Sequence, residues 1–69
     1  MAHEKARIAV SKGGQFCGFI KSVSYSNMKF TLTQNRSDAK GYVRADIING
    51  EIDFLAKISG HLGYVFYYN

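Results

Sequence analysis

The sequence predicts an α+β domain: a three- to four-stranded, mainly antiparallel sheet with one helix packed on one face, in the order β-β-β-α-β. Three observations predict it. Residues 6–43 are a series of short β-compatible runs, each ended by Gly, Ser or Asn turn chemistry. Residues 47–59 place their apolar side chains at helical spacing. The chain then closes on an aromatic and β-branched run whose residue types favour a strand.

Ala6 to Val10 is the first strand-like run, and it meets Ser11-Lys12-Gly13-Gly14. The glycine pair accepts positive φ and can reverse the chain in two residues. Gln15 to Val23 reads as a longer strand carrying Phe16, Phe19, Ile20 and Val23, with Gly18 marking a bulge or a close backbone approach. Ser24-Tyr25-Ser26-Asn27 is the next loop. Met28 to Thr33 alternates, with Met28, Phe30 and Leu32 on one side and Lys29, Thr31 and Thr33 on the other, as in a strand with one buried face. A polar turn at 34–38 follows, and Gly41-Tyr42-Val43 is read as a brief further strand.

The helix is expected from Ile47 to Ser59, with Asp46 as its N-cap and Gly60 as its stop. Ile48, Ile52, Leu55 and Ser59 share one face, while Asn49, Asp53 and Lys57 share the solvated one. Gly50 weakens the helix by roughly 1 kcal/mol relative to alanine. In the last run, Leu62, Tyr64, Phe66 and Tyr68 alternate with Val65 and Tyr67, so both faces are apolar. Such a strand is expected inside the sheet, or with its outer face against a partner.

With 69 residues the chain makes one domain, residues 1–69, in which residues 1–4 are expected to fray. A chain of this size buries only about 60% of its unfolded surface, so its core is thin. Cys17 is alone, which excludes an intrachain disulfide, and His3 and His61 do not make a zinc set. Self-association or an idealised core must then stabilise the domain, and size alone makes a homodimer one expectation. The composition, 46% hydrophobic and 20% charged, is that of a folded domain. No run is long enough for a membrane helix, the N-terminus has no signal-peptide pattern, and a lone cysteine suits a reducing cytoplasm. The net charge of +4 is uneven. Residues 1–44 set Lys5, Arg7, Lys12, Lys21, Lys29, Arg36, Lys40 and Arg44 against Glu4 and Asp38, whereas residues 45–69 set Lys57 against Asp46, Glu51 and Asp53. That asymmetry suits a polyanionic partner, or simply a solvated surface.

A catalytic set is not legible. Cys17, between Phe16 and Gly18 in mid-strand, reads as an inert core thiol. His61 reads as an exposed loop residue, and Glu51 and Asp53, two apart on a helix, point to different faces. Gly13-Gly14 matches no phosphate-loop spacing. The expectation is a non-enzymatic protein with no cofactor and no metal. What remains is aromatic and basic interleaving, with five tyrosines in a chain too small to hide them. The candidate partner-binding residues are Lys21, Lys29, Arg36 and Arg44 with Tyr25, Tyr64 and Tyr68. One reading is association with a protein or nucleoprotein target. A second is sequence-tolerant nucleic-acid binding, with cations on phosphates and tyrosines on bases, and a third is that the tyrosines simply complete a small core with their hydroxyls in water.

The minimal ββ(β)αβ layout ending in Gly63-Tyr64-Val65-Phe66-Tyr67-Tyr68 resembles the very small accessory proteins encoded by bacteriophages and mobile elements. That resemblance implies a protein that inhibits or redirects a host system by binding it, as anti-CRISPR proteins do. Many such inhibitors are acidic nucleic-acid mimics, and a charge of +4 departs from that pattern. No functional residue is carried over from it.

Overall fold

A computed structural model describes residues 5–68. The expected fraying of residues 1–4, including His3, falls outside them, as does Asn69. Four strands, β1 (Ile8–Lys12), β2 (Gln15–Ser24), β3 (Lys29–Thr33) and β4 (Tyr64–Tyr68), form one antiparallel sheet in the order β3-β2-β1-β4. Among the described residues one α-helix, α1 (Ala45–Ser59), connects β3 at one edge to β4 at the other, with 3-10 turns at Arg36–Asp38 before it and Gly60–Leu62 after it. The α+β class and the antiparallel sheet with one helix are as the sequence predicts.

β1 and β2 form a two-residue hairpin closed by Lys12 opposite Gln15. Gly13 and Gly14 have φ of 59° and 81°, and two successive positive φ angles are what a turn matched to strand twist requires. The register then shifts between Val10 and Ser11, where Gly18 adopts φ 146°. A Cβ at Gly18 would stand 3.0 Å from the Thr33 carbonyl oxygen, so the bulge and the close approach read from this glycine coincide. A second shift separates Ile20 from Ser22 on the β3 side.

Several boundaries move. β1 starts at Ile8 rather than Ala6, because Ala6 instead exchanges backbone hydrogen bonds with Tyr42 at 2.9 and 2.8 Å. The expected strand at 41–43 is thus a single bridge. Met28 leaves β3 and occupies the turn at φ 53°, with its side chain exposed. The helix begins at Ala45, and its N-cap is Arg44, not Asp46. Asp46 lies in the first turn, where a carboxylate favours the helix dipole, and pairs with Arg44 at 2.7 Å. Gly60 stays right-handed, so the chain winds on through Leu62, and Gly63 at φ 92° provides the left-handed stop.

The expectation of an interior last strand is overturned. β4 pairs with β1 alone among the strands and forms an edge, because the crossover helix delivers the chain to the free side of β1. The core lies between sheet and helix: Ile8, Val10, Ile20, Tyr42, Ile48, Leu55 and Phe66 are buried there, with Phe30, Leu32, Ile52 and Ile58 packed around them. Ile48, Leu55 and Ser59 are buried on the predicted helix face, and the Ser59 hydroxyl donates back to the Leu55 carbonyl at 2.6 Å.

Candidate binding face

Strand alternation separates the side chains into two populations. Ile8, Val10, Ile20, Phe30, Leu32 and Phe66 turn toward the helix, so their neighbours turn away from it. The opposite face therefore carries Ala9 and Ser11 from β1, Phe16 and Phe19 from β2, Lys29, Thr31 and Thr33 from β3, and Val65 and Tyr67 from β4. No element among the described residues is packed across its centre. Phe16 is 49% exposed, Val65 58% and Tyr67 40%. The Phe16 and Phe19 rings meet edge to face at 5.1 Å. Ala9, opposite Phe19 on one side and Tyr67 on the other, is fully covered.

Hydroxyl pairs hold this face in place. The Ser11 and Tyr67 hydroxyls lie 2.9 Å apart across the β1–β4 ladder, and those of Ser22 and Thr31 lie 2.6 Å apart across β2–β3. Cross-strand pairs of this kind fix side-chain position as well as register. Exposed Lys21 lies at the second irregularity of β2, two residues from Phe19, and exposed Lys29 lies at the start of β3, opposite Ser24 and far from the hairpin end that holds Phe16.

Charge is sorted between the layers. The four strands contain Lys12, Lys21 and Lys29 and no Asp or Glu. All acidic side chains among the described residues, namely Asp38, Asp46, Glu51 and Asp53, lie in the 3-10 turn and the helix. An anion approaching the open face of the sheet therefore meets aromatic rings, hydroxyls and ammonium groups, with no carboxylate on any strand.

The candidate residues read from the sequence are not gathered into one site. Lys29 is on the open face and Lys21 at its border. Arg36 lies in the 3-10 turn, where its guanidinium donates to the Lys5 carbonyl at 3.2 Å. Arg44 pairs with Asp46 at the start of the helix. Tyr25 is exposed at its edge but rests on Phe54 of the helix, with ring centroids 4.5 Å apart. Tyr64 packs on the helix side against Phe30 and Phe66, with the Lys12 ammonium 5.1 Å from its ring centre. Tyr68 directs its hydroxyl to the Asn49 side chain of the helix. Phe16, Phe19 and Tyr67, which form the aromatic centre of the open face, were not among the candidates. Alternation signals Phe19 and Tyr67, which lie out of phase with Ile20 and Phe66, but Phe16 is in phase with Ile20 and only the bulge at Gly18 turns it to the open face.

A polar cluster went unrecognised in the sequence. Glu51 is only 3% exposed, and its Oε1 accepts from the Lys40 ammonium and from the Tyr42 hydroxyl, both at 2.8 Å. Burial raises the Glu51 carboxyl above its usual range and pushes the Tyr42 hydroxyl up to about 12. Lys40 is also tied by its backbone N–H to the Ile20 carbonyl at 3.0 Å. The cluster thus fastens residues 40–42 to the helix and to β2 at once, and every polar group in it is accounted for by this structural task. Glu51 falls three residues after Ile48 and four before Leu55, so helical spacing alone places it on the apolar face.

Cys17 is half-buried against the core, its thiol 3.7 Å from the Gln15 carbonyl oxygen. His61 is exposed in the turn after the helix. Among the described residues no three His, Cys, Asp or Glu side chains stand close enough to hold a metal ion, and no helix is long and apolar enough to cross a membrane. On the helix side, Met28, Lys29, Phe30, Ile58, Leu62 and Tyr64 line a shallow cleft of about 290 Å³, so Lys29 borders both faces at the start of β3. No protein-family model, curated protein or solved structure matches the chain.

Proposed function

We propose that this protein is a non-enzymatic binding module whose working surface is the open face of the sheet, and that its partner is a flexible polyanion, single-stranded nucleic acid above all. The observation that carries this reading is the acid-free sheet whose open face exposes Phe16 and Tyr67, with Lys21 two residues from Phe19 and Lys29 at the far end of β3. Single-strand binders combine cations that follow the backbone with aromatic rings that stack on bases, and neither needs a base sequence. Hydroxyls from Ser22, Thr31 and Thr33 add donors for phosphate or sugar oxygens.

The test is fluorescence anisotropy of labelled single- and double-stranded DNA and RNA. Two or three phosphate contacts on a single strand imply that affinity falls by about 7- to 20-fold between roughly 50 and 200 mM salt. Phe16→Ala removes a stacking ring worth about 1–3 kcal/mol per base and should weaken binding at both salts alike. Absence of binding at low salt refutes this reading.

A second reading, association with a protein or nucleoprotein target, draws on the cleft on the helix side, where exposed Met28 and Leu62 offer apolar contact beside Lys29. It is the mode of action that the resemblance to phage accessory proteins implies, and cytoplasmic targets suit the lone free thiol of Cys17.

A further inference from the structure

Of the two sheet edges, only one carries charge. β3 begins with Lys29, directly after a positive-φ residue, and lies beside the second irregularity of β2. Lysine and local irregularity are the ordinary protections of an edge against pairing. β4 is Tyr64-Val65-Phe66-Tyr67-Tyr68, five residues in unbroken register with β1 and without a charge, a proline or a glycine. An unprotected regular edge is a template for one more strand.

The direction of its free hydrogen-bonding groups follows from the hairpin. The closing pair of a two-residue hairpin exchanges both backbone bonds, so Lys12 turns its N–H and C=O toward β2. By alternation Ser11 and Ala9 turn theirs toward β4, and their partners there are Val65 and Tyr67. Tyr64, Phe66 and Tyr68 consequently point their N–H and C=O groups outward. These three positions are symmetric about Phe66.

We propose that the β4 edge is the interface of a homodimer, in which β4 pairs antiparallel with β4 of a second copy about a two-fold axis at Phe66. Phe66 then exchanges two backbone hydrogen bonds with its own counterpart, and each Tyr64 exchanges two with Tyr68 of the other copy. A two-fold interface must be self-complementary, and this strand is so in its hydrogen-bonding pattern and in its chemistry. Two chains of net charge +4 can meet here because neither brings a charge to the strand. Exposed Val65 and Tyr67 each face the other's counterpart across the axis and shield one another from water. The result is an eight-stranded sheet with both helices on one side, which enlarges the single thin core. It does not depend on what the open face binds.

Sedimentation equilibrium of the full chain tests the proposal, with a mass of twice 7.7 kDa expected at micromolar concentration. Tyr68→Pro removes an outward N–H and sets a ring on the edge without touching a β1 hydrogen bond, so it should give a folded monomer. Tyr68→Ala, which loses the same side chain and keeps the N–H, should remain dimeric. A monomeric wild type, or a dimer indifferent to Tyr68→Pro, overturns the proposal. If Tyr68→Pro does not fold, hydrogen exchange of the wild type decides. Protection of the Phe66 amide that is lost on dilution supports the interface, and free exchange at all concentrations overturns it.

Discussion

Tyr42→Phe is the substitution that isolates the buried polar cluster. It deletes one oxygen and leaves the ring in the core, where Tyr42 is 4% exposed. The lost bond runs from the hydroxyl to Glu51 Oε1 at 2.8 Å, and bonds to charged acceptors contribute about 1.5–3 kcal/mol. Glu51 keeps Lys40, so the carboxylate is not stranded and the upper part of that range is not expected to be exceeded. In a domain this small each kcal/mol corresponds to about 4–8 °C of unfolding midpoint. The pH dependence gives the sharper test. Burial raises the folded Tyr42 hydroxyl to about 12 from an ordinary value of 10.0, so the neutral form is favoured in the native state. Its contribution is therefore fully present below pH 10 and is lost as pH rises toward 12. Wild type therefore loses its advantage over the variant progressively between pH 10 and 12, as the unfolded chain ionises and the folded one does not. Urea unfolding of both proteins at pH 7, 10 and 12 should show a gap that is constant up to pH 10 and then closes. A gap below about 0.5 kcal/mol at pH 7, or one that stays constant to pH 12, would refute the assignment of a buried, desolvated hydroxyl.

Glu51→Gln removes the other titration: because burial raises the Glu51 carboxyl, wild-type stability relative to this variant should fall as pH rises from below 4.5 through the folded value, in acid-range unfolding curves. Gly18→Ala places a side chain at φ 146° and 3.0 Å from the Thr33 carbonyl oxygen, and should cost about 1–3 kcal/mol by chemical denaturation. Leu55→Ala opens a cavity under the middle of the helix and should cost about 2–5 kcal/mol, enough to leave much of so small a domain unfolded by circular dichroism. Arg44→Ala breaks only an exposed pair with Asp46 and should shift stability by less than about 0.5 kcal/mol. Replacing both Lys21 and Lys29 by Glu should abolish oligonucleotide binding in the anisotropy titration while leaving the unfolding midpoint within about 0.5 kcal/mol of wild type.

The elements visible in the sequence were those whose signal is local. Gly13-Gly14 announces a hairpin because only positive φ closes it in two residues, and Ile48, Leu55 and Ser59 announce a helix because their spacing leaves no other shared face. The position of β4 was illegible because it depends on a crossover: a strand apolar on both faces reads as interior, and only the path of the helix puts it at an edge. The helix start was misread because Asp46 is as suitable in the first turn as at the cap, and its pairing with Arg44 lies outside any capping pattern. Tyr64 packs on the helix side, Tyr68 bonds to Asn49 while staying half exposed, and Phe16 reaches the open face only through the bulge at Gly18, which no local signal orients.

Sorting the acids into the helix has a consequence for how the two proposals fit together. Pairing of β4 about Phe66 keeps both copies of the sheet in the same orientation, because antiparallel strands related by a two-fold axis normal to the sheet retain their faces. The open faces of two copies then form one surface, with Val65 and Tyr67 of each at its centre and the lysine-bearing β2 and β3 of each toward its ends. Both acid-bearing helices remain behind it. A strand of nucleic acid crossing the axis would meet aromatic contact in the middle and cations at both ends, so one binding event would engage two copies. The dimer thereby raises the number of phosphate contacts, and the salt dependence of binding should steepen over the concentration range in which sedimentation finds the dimer. A salt slope that is the same for wild type and for monomeric Tyr68→Pro would separate the two proposals, leaving a binding face that works one copy at a time.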